Sequence, residues 1–323
     1  MHSTKNGGIF TKEVIPEILK LENENITFSD NYEDGEMYSV SGTTWTSASM
    51  VATSSGLPIK GVVVDYKNNR YLHGTKTIWD ILSDNGYENY CICGCNADFA
   101  GDRIFYEKHG NTNIFDYEKA KETGKIPEDY KVFWGFEDEK LYDYSKEIIT
   151  NAYNGQKPFS VRIITVDTHF PDGNRCHLCE NEFAEQYLNC FACASRQVYN
   201  FIEWAKTQEF YKNTTIVIAG DHPFMSNYMD EYLPENYTRK LCCIFMNVPE
   251  NIYERKVKRE YCSFDLFPTM LASIGCNIKD NKLALGVNLF SDEKTIIEKY
   301  GYKYVNRELK KSSDFYNKLT NQN

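Results

Sequence analysis

Short runs of continuous apolar residues alternate with longer stretches of mixed character along the chain. Two of the runs, Val161-Arg162-Ile163-Ile164-Thr165-Val166 and Thr214-Thr215-Ile216-Val217-Ile218-Ala219, are rich in β-branched residues. Such runs predict strands buried on both faces of a parallel sheet. Strands are expected at Gly61–Asp65, Tyr90–Cys93, Phe159–Val166, Thr214–Ala219 and Leu241–Asn247. Helical stretches fill the intervals at Thr46–Ser54, Thr77–Asn85, Lys140–Ala152, Cys190–Thr207 and Phe264–Ile274. In the last of these, Asp265 stands where it can cap a helix led by Leu266-Phe267-Pro268. This alternation predicts an α/β fold, doubly wound, with a mostly parallel central sheet flanked by helices. Ligands of such folds gather in the loops at the carboxyl ends of the strands.

Composition narrows the function. The chain has 323 residues, enough for two ordinary domains or one large α/β domain, and no Gly/Ser linker, charge block or repeat marks a boundary. Lys and Arg total 36 against 46 Asp and Glu, a net charge of −10. That is the wrong sign for a nucleic-acid binder, which needs a basic face. No apolar run approaches the roughly 18 residues of a membrane span, and no signal-peptide pattern opens the sequence.

Three loops carry candidate chemistry. After Thr214–Ala219 comes Gly220-Asp221-His222-Pro223. Neighbours on a strand point to opposite faces, so Asp221 and His222 converge only where the chain has left the strand, as Gly220 and Pro223 imply. A carboxylate beside an imidazole suits a divalent metal with mixed O/N ligands; the plain alternative is a capped surface loop. After Phe159–Val166 comes Asp167-Thr168-His169-Phe170-Pro171-Asp172-Gly173, in which His169 is either an acid/base or phosphate contact or a histidine bonded within a turn. The third element, Ser41-Gly42-Thr43-Thr44-Trp45-Thr46-Ser47-Ala48-Ser49-Met50, runs from a Gly loop into a helix of small residues and on to Ser55-Gly56-Leu57-Pro58. A helix start with hydroxyls suits a phosphate or holds a nucleophile activated by a metal, unless it is an ordinary Ser/Thr cap.

The order and spacing of these elements resemble the sulfatase-like transferases of the alkaline phosphatase superfamily in bacterial envelopes, namely the phosphoglycerol transferases and lipoteichoic acid synthases. Thr46, Ser49 and Gly56-Leu57 fit that family's nucleophile frame; Thr43 and Thr44 lack the Ser at the right offset. His169 in ITVDTHFPDG matches the phosphate-contacting His, and Asp221 and His222 match the metal pair. Asp98-Phe99-Ala100-Gly101-Asp102-Arg103, followed by His109-Gly110, resembles the segment with a basic substrate contact, which makes Arg103 a candidate. Trp134-Gly135-Phe136-Glu137-Asp138, Phe264–Thr269 and Leu285–Phe290 resemble structural landmarks.

The resemblance implies transfer of a phosphoglycerol or phosphoethanolamine head group from a phospholipid donor to a glycan or polymer acceptor. The path is a phospho-threonine intermediate on Thr46, with His169 assisting and Arg103 and Trp45 contacting substrate. One divalent metal, Mn first and Zn or Mg after it, is expected on Thr46, Asp221 and His222. The expected setting is extracytoplasmic, as a monomer whose membrane contact comes from segments this chain lacks. A catalytically idle glycan- or head-group-binding domain and a phosphodiester hydrolase are the alternatives. The family also opens with a buried strand ending in a metal-binding Glu, which nothing in Met1–Phe10 resembles. Residues 1–281 are therefore expected to form the catalytic domain without that strand, and 282–323 an extension packed on it, with a polar helical tail over Lys294–Asn323. Sulfate-ester hydrolysis is disfavoured, since it needs a Cys or Ser in a Cys-x-Pro-Ser-Arg frame and this position is Thr46.

The eleven cysteines are an odd number and cannot all pair within one chain. Cys176-x-x-Cys179 and Cys190-x-x-Cys193 have zinc-knuckle spacing, while the location implied by the resemblance favours disulfides between the two pairs. Cys242 and Cys243 read as buried small hydrophobes, and His73 and His177 have no partner that spacing predicts.

Overall fold

The computed structural model describes residues 12–28, 37–225, 238–250, 252 and 258–320. His2 and the Met1–Phe10 segment lie outside the described residues.

The centre is a parallel sheet in which Glu88–Cys93 lies between Asn113–Phe115 and Phe159–Ile164, with Tyr90 opposite Asn113 on one side and Val161 on the other. Asn113–Phe115, with three residues, is too short to stand out in the sequence. A second pair, Ile216–Ala219 and Cys243–Met246, runs antiparallel, with Ile218 facing Ile244. Gly61–Asp65 is not a sheet strand. Only Val64–Asp65 is extended, and it forms a small hairpin with Arg70–Tyr71. The long strand expected over Leu241–Asn247 is interrupted at Cys242, separating Lys240–Leu241 from Cys243–Met246. Cys243 is fully buried, whereas Cys242 is only half-buried.

The two strands expected to be buried on both faces depart from expectation. Cys91, Ile92 and Cys93 in Glu88–Cys93 are buried, but every residue of Phe159–Ile164 is only half-buried, as is most of Ile216–Ala219. The reason is pairing. Each of these two strands is bonded along one edge only, and no described strand takes the other. Their side chains nevertheless share one apolar layer, since Phe159, Val161, Ile163 and Ile216 all pack on Ile149, Ala205 and Phe210.

Helices cover both sides. Asp138–Asn154 and Gln186–Lys206 supply that layer, and Pro16–Glu24 packs against the latter, placing Leu21 beside Ile202, Ile244 and Met246. On the other side, Thr46–Ser55 packs on Ser263–Ser273, with Ala48, Met50 and Val51 in one cluster with Phe267, Leu271 and Ala272. Small residues allow this close approach. The buried hydroxyls of Thr53, Ser54 and Ser55 bond back to the carbonyls of Ser49, Met50 and Val51. Ser263–Ser273 starts earlier than its sequence suggests, and Asp265 sits inside the first turn rather than before it. There its carboxylate accepts from the Cys262 and Val287 N–H groups, at 2.9 and 2.8 Å, which ties the segment Gly286–Val287 to the helix. Residues 294–320 are helical as expected but divided into Ile296–Tyr300, Tyr302–Glu308 and Asp314–Leu319. Ile297 and Val305 are buried with Val40, Ala52 and Phe264, and the Tyr316 hydroxyl donates to the Pro58 carbonyl at 2.6 Å.

His109 is buried, with its ring nitrogens 2.8 Å from Asp80 Oδ2 and from the Tyr71 carbonyl. Asp80 also accepts from the N–H groups of Thr77 and Gly110, so one carboxylate closes a capping box and holds a turn 30 residues away. Burial alone would raise its pKa, but bonds from His109 and Thr77 outweigh it and the net shift is downward. Asp80→Ala is expected to cost about 3 kcal/mol by urea unfolding at neutral pH, because it leaves buried donors unpaired. With the folded pKa below that of a free aspartate, the ionic share of this contribution is complete above about pH 4. It disappears as pH falls through the lower folded value, so mutant and wild type should converge in acid.

Candidate active site

Thr46 begins a helix whose N-cap, Trp45, makes no side-chain cap. The loop before it is held from two sides. Thr43 Oγ1 donates to the Val40 carbonyl at 2.9 Å, and Gly42, at φ +86°, lies where a Cβ would come within 2.6 Å of Pro58. Glycine is required there for both its backbone angle and the close approach of the Gly56-Leu57-Pro58 turn. Ser41-Gly42 and Gly56-Leu57-Pro58 thus brace one another across the helix.

The Thr46 hydroxyl is not a cap. It donates to Asp221 Oδ2 at 2.9 Å and lies 3.5 Å from His222 Nε2. Asp221 Oδ1 accepts the His222 N–H at 2.8 Å, folding the loop into a tight hook. His222 Nδ1 is 2.9 Å from the Pro223 carbonyl, which can only accept, so Nδ1 carries the proton. In the neutral ring the Nε2 lone pair then faces Thr46 and Asp221. One imidazole nitrogen, one carboxylate and one hydroxyl converge, a donor set that suits a divalent ion such as Mn or Zn.

His169 does not hydrogen-bond to this trio. Its Nδ1 donates to the Phe170 carbonyl at 2.7 Å, leaving Nε2 available, and its ring lies edge-on to Trp134 with centroids 4.6 Å apart. Tyr187 joins the two loops. Its hydroxyl donates to the Thr168 carbonyl while its ring stacks on Phe224 with centroids 3.8 Å apart. The start of the His169 loop is fixed by Asp138, which accepts the Val166 and Asp167 N–H groups at 2.7 and 3.2 Å. Burial and the neighbouring Asp167 push the Asp138 carboxyl up to about 8.

Arg103 is engaged elsewhere. Its Nε donates to Asp98 at 2.5 Å and its terminal nitrogen to the buried Asp116 at 2.6 Å, so its fork is filled by the protein's own carboxylates. The neighbour overlooked in the same stretch is Asp102. It accepts from the Ser47 hydroxyl at 3.1 Å, directly behind Thr46, and burial pushes its carboxyl up to about 6. Trp45 and Trp134 are each 40% exposed, and Phe99 extends the wall with its ring 6.1 Å from Trp134. Asp102 and Tyr187 carry no local sequence signal, since their roles depend on partners far along the chain.

A sulfatase family model matches residues 4–276. The chain belongs to the sulfatase family. Within it, the sequence is 30% identical over 291 residues to phosphoglycerol transferase I of Salmonella choleraesuis and 29% identical over 294 residues to that of Escherichia coli. These matches cover 86% and 87% of this chain but 36% of each relative, so the chain spans about a third of the length of the curated relatives it matches. Solved structures share the fold. The lipoteichoic acid synthase LtaP of Listeria monocytogenes superposes with a TM-score of 0.67 at 17% identity, covering 86% of this chain and 70% of that one. An alkaline phosphatase superfamily protein of Vibrio parahaemolyticus gives 0.65 at 20% identity, covering 88% and 66%. Streptococcus pyogenes phosphoglycerol transferase GacH, in complex with sn-glycerol-1-phosphate, gives 0.53 at 15%, covering 95% and 80%. The alkaline phosphatase/sulfatase-like α/β architecture expected from the sequence is therefore the one observed.

Gly135 sets Trp134 in place, because a Cβ there would lie 2.1 Å from the Gly94 carbonyl oxygen. Gly135→Ala is expected to destabilise by about 2 kcal/mol in urea unfolding and to shift Trp134 away from His169. Trp134→Ala, which removes only the half-exposed ring, should cost distinctly less.

Proposed function

We propose that this chain carries the catalytic site of a metal-dependent phosphotransferase. It moves a phosphoglycerol or phosphoethanolamine head group from a phospholipid to an envelope glycan or polymer, outside the cytoplasm. The observation that carries this reading is the convergence of Thr46 Oγ1 on Asp221 and His222. The likeness to phosphoglycerol transferase I along 86% of the chain supports it.

One divalent ion, Mn in preference to Zn or Mg, would be held by Thr46, Asp221 and His222. It would supply a lowered hydroxyl pKa and neutralise charge developing on the phosphoryl oxygens. Thr46 gives up its proton along the bond to Asp221, and its oxygen attacks phosphorus in line. The bond from phosphorus to the lipid oxygen breaks, and the departing alkoxide takes up the proton that Thr46 gave and leaves as the alcohol, with the head group on Thr46. An acceptor hydroxyl then attacks the same phosphorus and Thr46 is regenerated, giving ping-pong kinetics. His169, its Nδ1 anchored on Phe170, offers Nε2 to a phosphate oxygen or to the proton moved in each half. The exposed faces of Trp45 and Trp134 provide stacking surfaces for a sugar. Arg103 holds Asp98 and Asp116 through Nε and one terminal nitrogen.

No helix among the described residues is long and apolar enough to cross a membrane. The donor lipid is therefore best presented in detergent or vesicles. With labelled phosphatidylglycerol and a glucan acceptor, Thr46→Ala should lower transfer by at least about 10³-fold while circular dichroism stays unchanged. Transfer that survives in this variant rejects the nucleophile. Glycerophosphate released to water in the presence of acceptor identifies a hydrolase, and head-group binding without turnover identifies an idle binding domain.

A further inference from the structure

Between the strand Phe159–Ile164 and the helix Gln186–Lys206, residues 165–185 contain no helix or strand. Irregular segments of this length are uncommon in compact domains without a staple. Two of its cysteines meet a third from the helix, Cys193. Cys176 Sγ lies 3.8 Å from Cys179 Sγ and 3.8 Å from Cys193 Sγ, and all three fall within 4.8 Å of one another. A disulfide bond would put two of them about 2 Å apart, and all eleven cysteines are free. Zinc–sulfur bonds of about 2.3 Å in a tetrahedron place sulfurs about 3.8 Å apart. The two 3.8 Å contacts match the sulfur separation expected around one ion.

The surroundings agree. The Cys179 N–H donates to the Cys176 carbonyl at 3.1 Å, closing a knuckle turn. Gln197, buried one turn along the helix from Cys193, directs its amide at Cys193 Sγ (3.4 Å) and Cys176 Sγ (3.8 Å). Donors aimed at ligating sulfurs are the usual outer support of such sites. His177 is not a ligand, because its Nδ1 pairs with Glu139 at 2.9 Å, a partner that its sequence spacing did not predict. Cys190 is buried one turn before Cys193, but its Sγ lies 3.9 Å from the Asp172 carbonyl and outside the trio.

We propose that Cys176, Cys179 and Cys193 form a structural zinc site that staples the loop bearing His169, separate from the Thr46–Asp221–His222 centre. The donor set is three soft sulfurs, which selects zinc over manganese or magnesium.

The test uses the full chain purified under reducing conditions, with zinc measured by elemental analysis after dialysis. The Asp221→Ala variant, which removes a ligand of the other centre, should retain about one zinc per chain. Cys176→Ser and Cys193→Ser in that background should lose it, and Gln197→Leu should weaken retention about tenfold against a competing chelator. Cys276→Ser, which alters an exposed cysteine outside the cluster, should retain it. Because the serine variants risk misfolding, the wild-type chain loaded with cobalt provides a second readout. Sulfur-to-cobalt charge transfer and intense visible bands of a tetrahedral ion are expected. Absence of those bands, equal zinc in the cysteine variants, or a disulfide within 176–193 in non-reduced peptide maps would overturn the proposal. Loss of transfer in Thr46→Ala is independent of all three outcomes.

Discussion

The hydrogen bond from Thr46 to Asp221 joins two segments 175 residues apart. A bond to a charged group contributes on the order of 1.5–3 kcal/mol, too little to gather the site by itself. It forms because each end is already fixed. Thr46 is fixed by a buried helix of small residues whose entry loop is wedged against Pro58. Asp221 is fixed by a loop that leaves Ile216–Ala219 and folds onto its own backbone through the Asp221 and His222 bonds. The unusual burial of Ser47, Ser49, Thr53, Ser54 and Ser55 follows from the same constraint. Larger side chains would separate this helix from Ser263–Ser273 and move Thr46 off its partner.

Around that contact, the loops after Phe159–Ile164 and Ile216–Ala219 are brought to one place by Tyr187, which touches Thr168 and Phe224. The strands themselves belong to different sheets, each paired along one edge. They are aligned through the shared layer of Ile149, Ala205 and Phe210 rather than through a common ladder. Side-chain packing therefore does the positioning that backbone hydrogen bonds do in a continuous sheet. The aromatic wall of Phe99, Trp134 and His169 closes another side, and its geometry rests on the absence of a Cβ at Gly135.

Electrostatics divide the acidic groups into two kinds. Asp116 is buried but ion-paired with Arg103, and Asp80 is hydrogen-bonded to His109, so each carboxylate has a side-chain partner. Asp138 and Asp265 are buried and Asp102 is half-buried, all with mainly neutral donors, and desolvation pushes Asp102, Asp138 and Asp265 up to about 6, 8 and 7. Asp102 and Asp138 brace the helix of Thr46 and the loop of His169, so the residues that position the site are also the ones whose charge the interior opposes.

Local signals in the sequence determined the helices, the strand–helix alternation and the three loops after strands, because periodicity, Gly-Pro punctuation and motif spacing are written in neighbouring residues. Thr46, Asp221 and His222 were legible for that reason, and the structure brings them together. The short strand Asn113–Phe115, the half-burial of Phe159–Ile164 and Ile216–Ala219, and the hairpin at Val64–Asp65 were not, because edge pairing and burial depend on which distant segments lie alongside. Tertiary structure alone decided that the Arg103 fork is filled by Asp98 and Asp116, that Asp102 stands behind Thr46, and that three cysteines spread over residues 176–193 meet with sulfurs 3.8 Å apart. A side chain's type announces what it can bind. Only the folded chain, by burying some partners and presenting others, settles what it does bind.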